Sequence, residues 1–315
     1  MNAVSRGAAR LTVAVCTRNR PADLARCLRS VTDAALLTES GVAEILVVDD
    51  GELPVGFVEE LRRSVGRWSG RFTCRRPSTG SGLFNARLAA VDAAVGEVIV
   101  FLDDDVEIDP GYLARLSGRY REWPEAVGIG GVDDLLRPVS LPKRLFGRTF
   151  LLDSGHAGRL SPSGFSDSIA RWVGAGAPFE TEYLSGCNMS FRREALRAID
   201  RVSWLKGYSM GEDIYLSVAA ATHGRLWVDP GLRVRHHRSA TPRVPDRALA
   251  YATVVNPYRL LRARGAGRWR YGALAWSIVG LLLKDAVRLS RWGLIPGYFQ
   301  GVRDIVSRRS TTDIM

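Results

Sequence analysis

Three consecutive carboxylates, Asp103-Asp104-Asp105, follow the apolar run 98–102, and nothing in the packing of a core asks for them. Like charges side by side repel, so the cluster reads as a site for a cation. Carboxylate oxygens suit a hard ion such as Mg2+ or Mn2+, and Mg2+ commonly binds through one or two carboxylates plus substrate phosphates. The competing reading makes the three acids turn formers and a helix cap ahead of Pro110. Their position directly after Val-Ile-Val-Phe-Leu favours the cation. Further polar groups stand at Thr17-Arg18-Asn19, at Asp49-Asp50, at Gly211-Glu212-Asp213 and at His236-His237. Taken singly, Asp213 reads as a first-turn acid complementing a helix dipole, and the histidine pair as a surface feature.

The elements that must position these residues follow from periodicity. Residues 11–16 and 44–48 read as strands, a third short strand is expected at 72–75, and 98–102, apolar throughout, reads as a central strand buried on both faces. Helical spacing occupies 21–31, with Pro21 in its first turn, then 58–65 and 85–95. This alternation predicts an α/β fold with an open, mostly parallel sheet flanked by helices. Such sheets bind ligands beyond the carboxyl ends of their strands. Thr17-Arg18-Asn19, Asp49-Asp50 and the triple aspartate are those ends, so three independent strands aim polar groups at one crevice. Residues 137–180 lack a clear period and read as substrate-side loops. Beyond them a strand is expected at 188–191, helices at 192–199 and 213–221, and strands around Pro230-Gly231.

At 315 residues and 46% hydrophobic content the chain can bury a sizeable core. Cys16, Cys27, Cys74 and Cys187 lack metal-finger spacing and read as reduced thiols of a cytoplasmic protein. No charged stretch followed by an apolar one opens the sequence, which points away from secretion. The net charge of +11 is concentrated at one end, since residues 231–315 hold sixteen Arg or Lys against four Asp.

Three segments together carry a resemblance: Val13-Ala-Val-Cys-Thr-Arg-Asn-Arg-Pro, Ile45-Leu-Val-Val-Asp-Asp, and Gly96-Glu-Val-Ile-Val-Phe-Leu-Asp-Asp-Asp. In combination they resemble the inverting family 2 glycosyltransferases of GT-A fold, over roughly residues 11–240. The resemblance implies a nucleotide-sugar donor held by Thr17, Arg18, Asn19 and Asp49, with Arg87 on the donor side. It places the outer aspartates of a DxD motif on Asp103 and Asp105, with Asp104 between them in the donor-binding set. Asp105 would ligate Mg2+ or Mn2+, Asp103 would lie nearer the ribose or donor sugar, and His236 rather than His237 would add a metal or diphosphate contact. Gly211-Glu212-Asp213 matches the family's Glu-Asp motif, which makes Asp213 the general base. The family usually follows the arginine with asparagine, where this chain has Leu88 and, upstream, Asn85. Gly186-Cys187-Asn188 resembles the segment before the acceptor-side strand.

The implied enzyme passes a sugar to a glycan or lipid-linked glycan in bacterial envelope or polysaccharide synthesis. Two rivals are a nucleotidyltransferase of similar architecture, which would place a glycine-rich loop after the first strand, and a non-catalytic sugar-nucleotide-binding subunit. The expected division is a catalytic domain over 8–240 and a basic amphipathic helical tail over 241–315. Within the tail, residues 265–299 interleave aromatic residues with arginines, and their apolar stretch of eleven residues is shorter than the ~20 of a spanning helix. A helix at an anionic membrane surface fits this composition and implies a protein peripheral on the inner face of the cell membrane. Alternatively the tail packs on the catalytic domain. Nucleic acid is not expected as a partner, because no recognition module surrounds the basic residues.

Overall fold

A computed structural model describes residues 9–37, 41–78, 80–205, 210–239 and 245–307. The expected domain limits at 8, 240 and 241 lie outside these residues. The chain order is β1 (Leu11–Thr17), α1 (Pro21–Leu36), β2 (Val42–Asp49), α2 (Phe57–Ser64), β3 (Phe72–Arg75), α3 (Leu83–Ala93), β4 (Val98–Asp103), β5 (Val106–Ile108), α4 (Tyr112–Glu122) and β6 (Ala126–Asp133). There follow α5 (Leu141–Thr149), β7 (Phe179–Thr181), β8 (Asn188–Arg192), α6 (Arg193–Arg197), α7 (Glu212–Ala220) and β9 (Arg225–His236), then α8 (Asp246–Ala263), α9 (Arg268–Ala286) and α10 (Ile295–Val306).

The strands form one nine-stranded sheet in the order β3-β2-β1-β4-β8-β6-β9-β5, with β7 also on β9. β3, β2, β1 and β4 run parallel, whereas β8 is antiparallel to β4 and β6, and β5 and β7 are antiparallel to β9. The sheet is therefore mixed rather than mostly parallel. Apolar periodicity tells which residues are buried but not which way a strand runs, so the antiparallel half left no trace in the pattern.

Side chains alternate across the pleat, and both faces are covered. Leu11, Val13 and Val15 of β1 join a core with α1, α2 and α4, while Ala14 and Cys16 join a second core with α3, α6 and α7. α1 places Leu24, Cys27, Leu28, Val31, Ala34 and Ala35 on one buried stripe. The four cysteines are free, and burial pushes the Cys16 thiol up to about 12.

Two further expectations differ from what is found. Residues 137–180 contain α5, in which only Gly147 is buried while Leu141 and Leu145 stay exposed. Pro230-Gly231 does not divide two strands, since β9 runs through it and register shifts in its pairing with β6 absorb the irregularity.

The tail is not one helix. Pro296 starts α10 after a 3-10 turn over Leu289–Leu294, as proline in a first helical turn does. α8, α9 and α10 share a small core of their own that includes Val254, Leu261, Leu274, Leu281 and Tyr298. The unit is docked on the rest of the chain: Trp276 stacks on Phe150 with ring centroids 5.2 Å apart, and Trp276 Nε1 donates to Thr149 O at 2.7 Å. Asn256 Nδ2 donates to Met210 O, and Arg259 lies over the Trp204 ring. Among the described residues no helix is long and apolar enough to cross a membrane.

Candidate active site

A cleft of about 1220 Å³ opens at the carboxyl ends of β1 and β4, and Arg18, Asn19, Asp50, Arg87, Asp103, Asp105, Asp213 and His236 line it. All three acids at the end of β4 line it, and they differ in their partners. Asp103 continues the face of Ile99 and Phe101, which belong to the α3-side core, as does Cys16, which lines the cleft. Asp104 also lines the cleft, together with Thr17 and Arg20, and accepts from Thr17 Oγ1 at 2.8 Å and from Arg20 Nη1 at 3.0 Å. Its side chain and that of Thr17 are thus engaged with each other at the strand ends. Burial raises Asp104 to about 6, against Thr17 and Arg20, which pull it down.

Asp103, Asp105 and His236 offer ligand atoms that all lie within 4.8 Å of one another. His236 Nε2 sits 3.1 Å from Asp105 Oδ1, while His237 is turned to Glu107 at 2.8 Å. β9 brings His236 to this point by pairing with β5, in register with Val106. Two carboxylates and an imidazole make a donor set that fits Mn2+ or Mg2+. Burial alone would raise Asp105, but the bonds from His236 and from the Ser239 N–H, at 2.9 Å, outweigh it and lower the carboxyl. Burial would likewise lower His236, and the Asp105 bond instead raises it to about 10.

At the end of β2 the pleat separates two neighbouring acids. Asp49 accepts from the N–H groups of Gly51 at 2.9 Å and Leu53 at 3.2 Å, so its carboxylate shapes the turn after the strand. Asp50, with the parity of Leu46 and Val48, lines the cleft, accepts from Gly82 N at 2.9 Å and stands 3.6 Å from Arg18. Asn19, in a left-handed conformation with φ 59°, accepts from Glu52 N at 2.8 Å and so ties the ends of β1 and β2 together.

Arg87 joins the metal-like cluster to the acidic helix. Its guanidinium is 1% exposed and donates to Asp103 Oδ1 at 3.0 Å, to Gly186 O at 2.8 Å and to Glu212 Oε1. Gly211, with φ +84°, opens α7 and turns Glu212 and Asp213 inward. Asp213 accepts from Gly186 N at 3.1 Å and from Ile214 N at 2.8 Å. A side chain at Gly186 would come within 3.2 Å of the Arg87 guanidinium and 3.4 Å of Asp213, so the small residue permits this close assembly. Burial raises both Glu212 and Asp213, with Arg87 opposing it in each case.

The family model described as glycosyl transferase family 2 matches residues 12–163. That stretch holds β1, the acidic end of β2, Arg87 and the triple aspartate. Residues 12–163 are a family 2 glycosyl transferase region. The galactofuranosyltransferase GlfT2 of Mycobacterium tuberculosis is 27% identical over 128 residues, which are 40% of this chain and 20% of that protein. The chain thus spans about a fifth of that relative. Among solved structures, GalNAc-T7 with UDP, GalNAc and Mn2+ superposes with a TM-score of 0.58 at 18% identity, covering 82% of this chain and 48% of that one. The mannosyltransferase PcManGT from Pyrobaculum calidifontis, in complex with GDP-Man and Mn2+, gives 0.53 at 16% identity over 95% of this chain and 88% of its own. At such identities these likenesses establish the fold, a GT-A arrangement that extends well past the family 2 region.

Sequence reading named Asp50, Glu212 and Gly186 only as members of their segments, without a role of their own, and gave Arg20 no role. The alternation of β2 carried a signal for Asp50, because residues 46, 48 and 50 must share a face. Nothing local marks the contribution of α8, which lines the cleft with Thr253, Asn256 and Pro257.

Proposed function

We propose that this chain is an inverting glycosyltransferase that moves a sugar from a nucleotide-sugar donor to a glycan or lipid-linked glycan, in bacterial envelope or polysaccharide synthesis. The observation that carries the reading is the convergence of Asp103, Asp105 and His236 on the cleft that also holds Asp213. The Mn2+ and nucleotides in GalNAc-T7 and PcManGT support it. In this reading Asp105, Asp103 and His236 hold Mg2+ or Mn2+, which when bound neutralises charge on the departing diphosphate.

The chain's own residues have defined tasks. Thr17, Arg18, Asn19, Asp50 and Asp104 line the nucleotide side of the cleft, with Asp49 behind them shaping the end of β2. Asp213, held by two backbone N–H groups and made more basic by burial, takes the proton of the acceptor hydroxyl. Arg87 fixes the spacing between the metal ligand Asp103 and the base-bearing turn, which serves in-line attack. The catalytic unit is assigned to residues 8–240. The tail, 241–315, presents Trp269, Trp292 and Phe299 to solvent among Arg268, Arg270 and Arg291, and is assigned to the anionic inner face of the cell membrane.

A thermal-stability screen of UDP- and GDP-sugars with and without Mn2+ tests donor binding, followed by an assay of nucleotide release with glycan acceptors. Asp213→Asn should cut transfer by about 100-fold or more while leaving Mn2+-dependent stabilisation by the nucleotide intact. Turnover retained in that variant, or no nucleotide sugar that stabilises the protein, overturns the reading.

A further inference from the structure

The cleft has two chemically different walls. Around the ends of β1, β2 and β4 it is charged, with Arg18, Asp50, Asp103, Asp105, His236 and Arg238. The opposite wall carries Phe165, Ser166, Ile169, Trp204 and Met210, and α8 completes it with Ala252, Thr253, Asn256, Pro257 and Leu260. This second wall carries no ionisable side chain from α8. α8 is held there by contacts on several sides: Thr253 Oγ1 meets Met210 Sδ at 3.7 Å, Asn256 Nδ2 meets Met210 O at 2.6 Å, and Leu261 Cγ would lie 3.4 Å from a side chain at Gly164.

Resting on the proposed glycosyl transfer, we propose that this wall is an acceptor subsite for an amphiphilic glycoside, whose sugar hydroxyl lies at Asp213 and whose apolar chain or aglycone runs along α8. A nucleoside diphosphate belongs to the charged wall, where cationic and metal-ligating groups can meet phosphate. What remains beside the general base is mostly apolar, its polar groups Thr253 Oγ1 and Asn256 Nδ2 already bonded to Leu249 and Met210, and a fully hydroxylated glycan gains little from it. A chain of methylenes gains in proportion to the area it loses to water. The same three-helix unit exposes Trp269, Trp292 and Phe299 beside arginines on its outer side, so one structural unit would both meet a lipid surface and line the path of a lipid-borne substrate.

The test compares methyl and octyl glycosides of glucose, galactose and mannose, measured by calorimetric titration of the full chain with Mn2+ and UDP or GDP present. At least one octyl glycoside should bind tenfold or more tightly than its methyl counterpart. Ala252→Glu, at a half-exposed position on the cleft, should erase that gain, and Thr253→Asp should reduce it, while stabilisation by Mn2+ and nucleotide persists and shows that the variants fold. Equal binding of methyl and octyl forms overturns the inference, as does an octyl gain that survives both substitutions, because the detergent chain would then sit elsewhere. Failure of both UDP and GDP to stabilise the wild-type chain with Mn2+ would instead sink the glycosyltransferase reading on which the subsite rests.

Discussion

Arg87 is the cation that pairs with both Glu212 and Asp103, and replacing it exposes how much the joint between Asp103 and α7 depends on charge. Arg87→Met keeps much of the side-chain volume and removes the cation, leaving Glu212 buried near Asp213 and Asp103. Breaking a buried pair by removing one partner costs about 3–5 kcal/mol. The carboxyl can escape by taking a proton, which at about pH 7.5 against an ordinary glutamate value costs about 4 kcal/mol, so the loss should lie at about 3–4 kcal/mol. For a chain of this size that lowers the melting temperature by roughly 10 °C. The sign of the pH dependence follows. Burial raises Glu212 and Arg87 opposes it, so removing Arg87 raises the carboxyl further, and the variant loses more stability than the parent as pH rises above the unfolded value. The deficit of Arg87→Met should therefore shrink to about 1 kcal/mol near pH 5, where protonation is almost free. Adding Glu212→Gln should restore about 2–3 kcal/mol of the loss at neutral pH without restoring transfer. Urea unfolding of the two variants at both pH values decides it. A deficit that is the same at both pH values and untouched by Glu212→Gln would show that Arg87 acts by packing alone.

Three other outcomes are expected. Asp50→Ala should weaken nucleotide binding by about tenfold while the fold holds, whereas Asp49→Ala should cost about 1–3 kcal/mol of stability with little change in affinity; titration and denaturation separate them. Asp105→Asn and His236→Ala should each abolish Mn2+-dependent stabilisation by nucleotide, and a normal Mn2+ response in either would remove that residue from the metal site. Replacing Trp269, Trp292 and Phe299 together by Ser should reduce flotation with phosphatidylglycerol vesicles and leave nucleotide binding unchanged, and undiminished flotation would move the membrane contact elsewhere.

How far the site was legible depends on how local each cause is. The acidic end of β4 could be read because a uniformly apolar strand followed by three carboxylates violates what packing alone would select. His236 entered only through resemblance, and its place depends on β9 reaching past β6 to pair with β5. Asp49 and Asp50 are neighbours with the same chemistry, and only the direction of the pleat at the end of β2 separates a turn-forming carboxylate from one that faces the cleft. Arg87 was legible as a motif position, but its partner Glu212 lies 125 residues away in sequence. The tail shows the limit in another form. Its arginines and aromatics suit a lipid surface by composition, yet composition does not say that α8 turns its other side into the cleft.

The sequence by itself determined the alternating parallel core of β1 to β4, its burial on both faces and the acids at its open end, because these follow from patterns a few residues long. The tertiary structure alone decided the antiparallel half of the sheet, the meeting of Asp103, Asp105 and His236, the Arg87 joint and the wall made by α8. Each of these needs segments far apart in the chain to arrive at one place, and that arrival is set by the packing of whole elements rather than by any local preference.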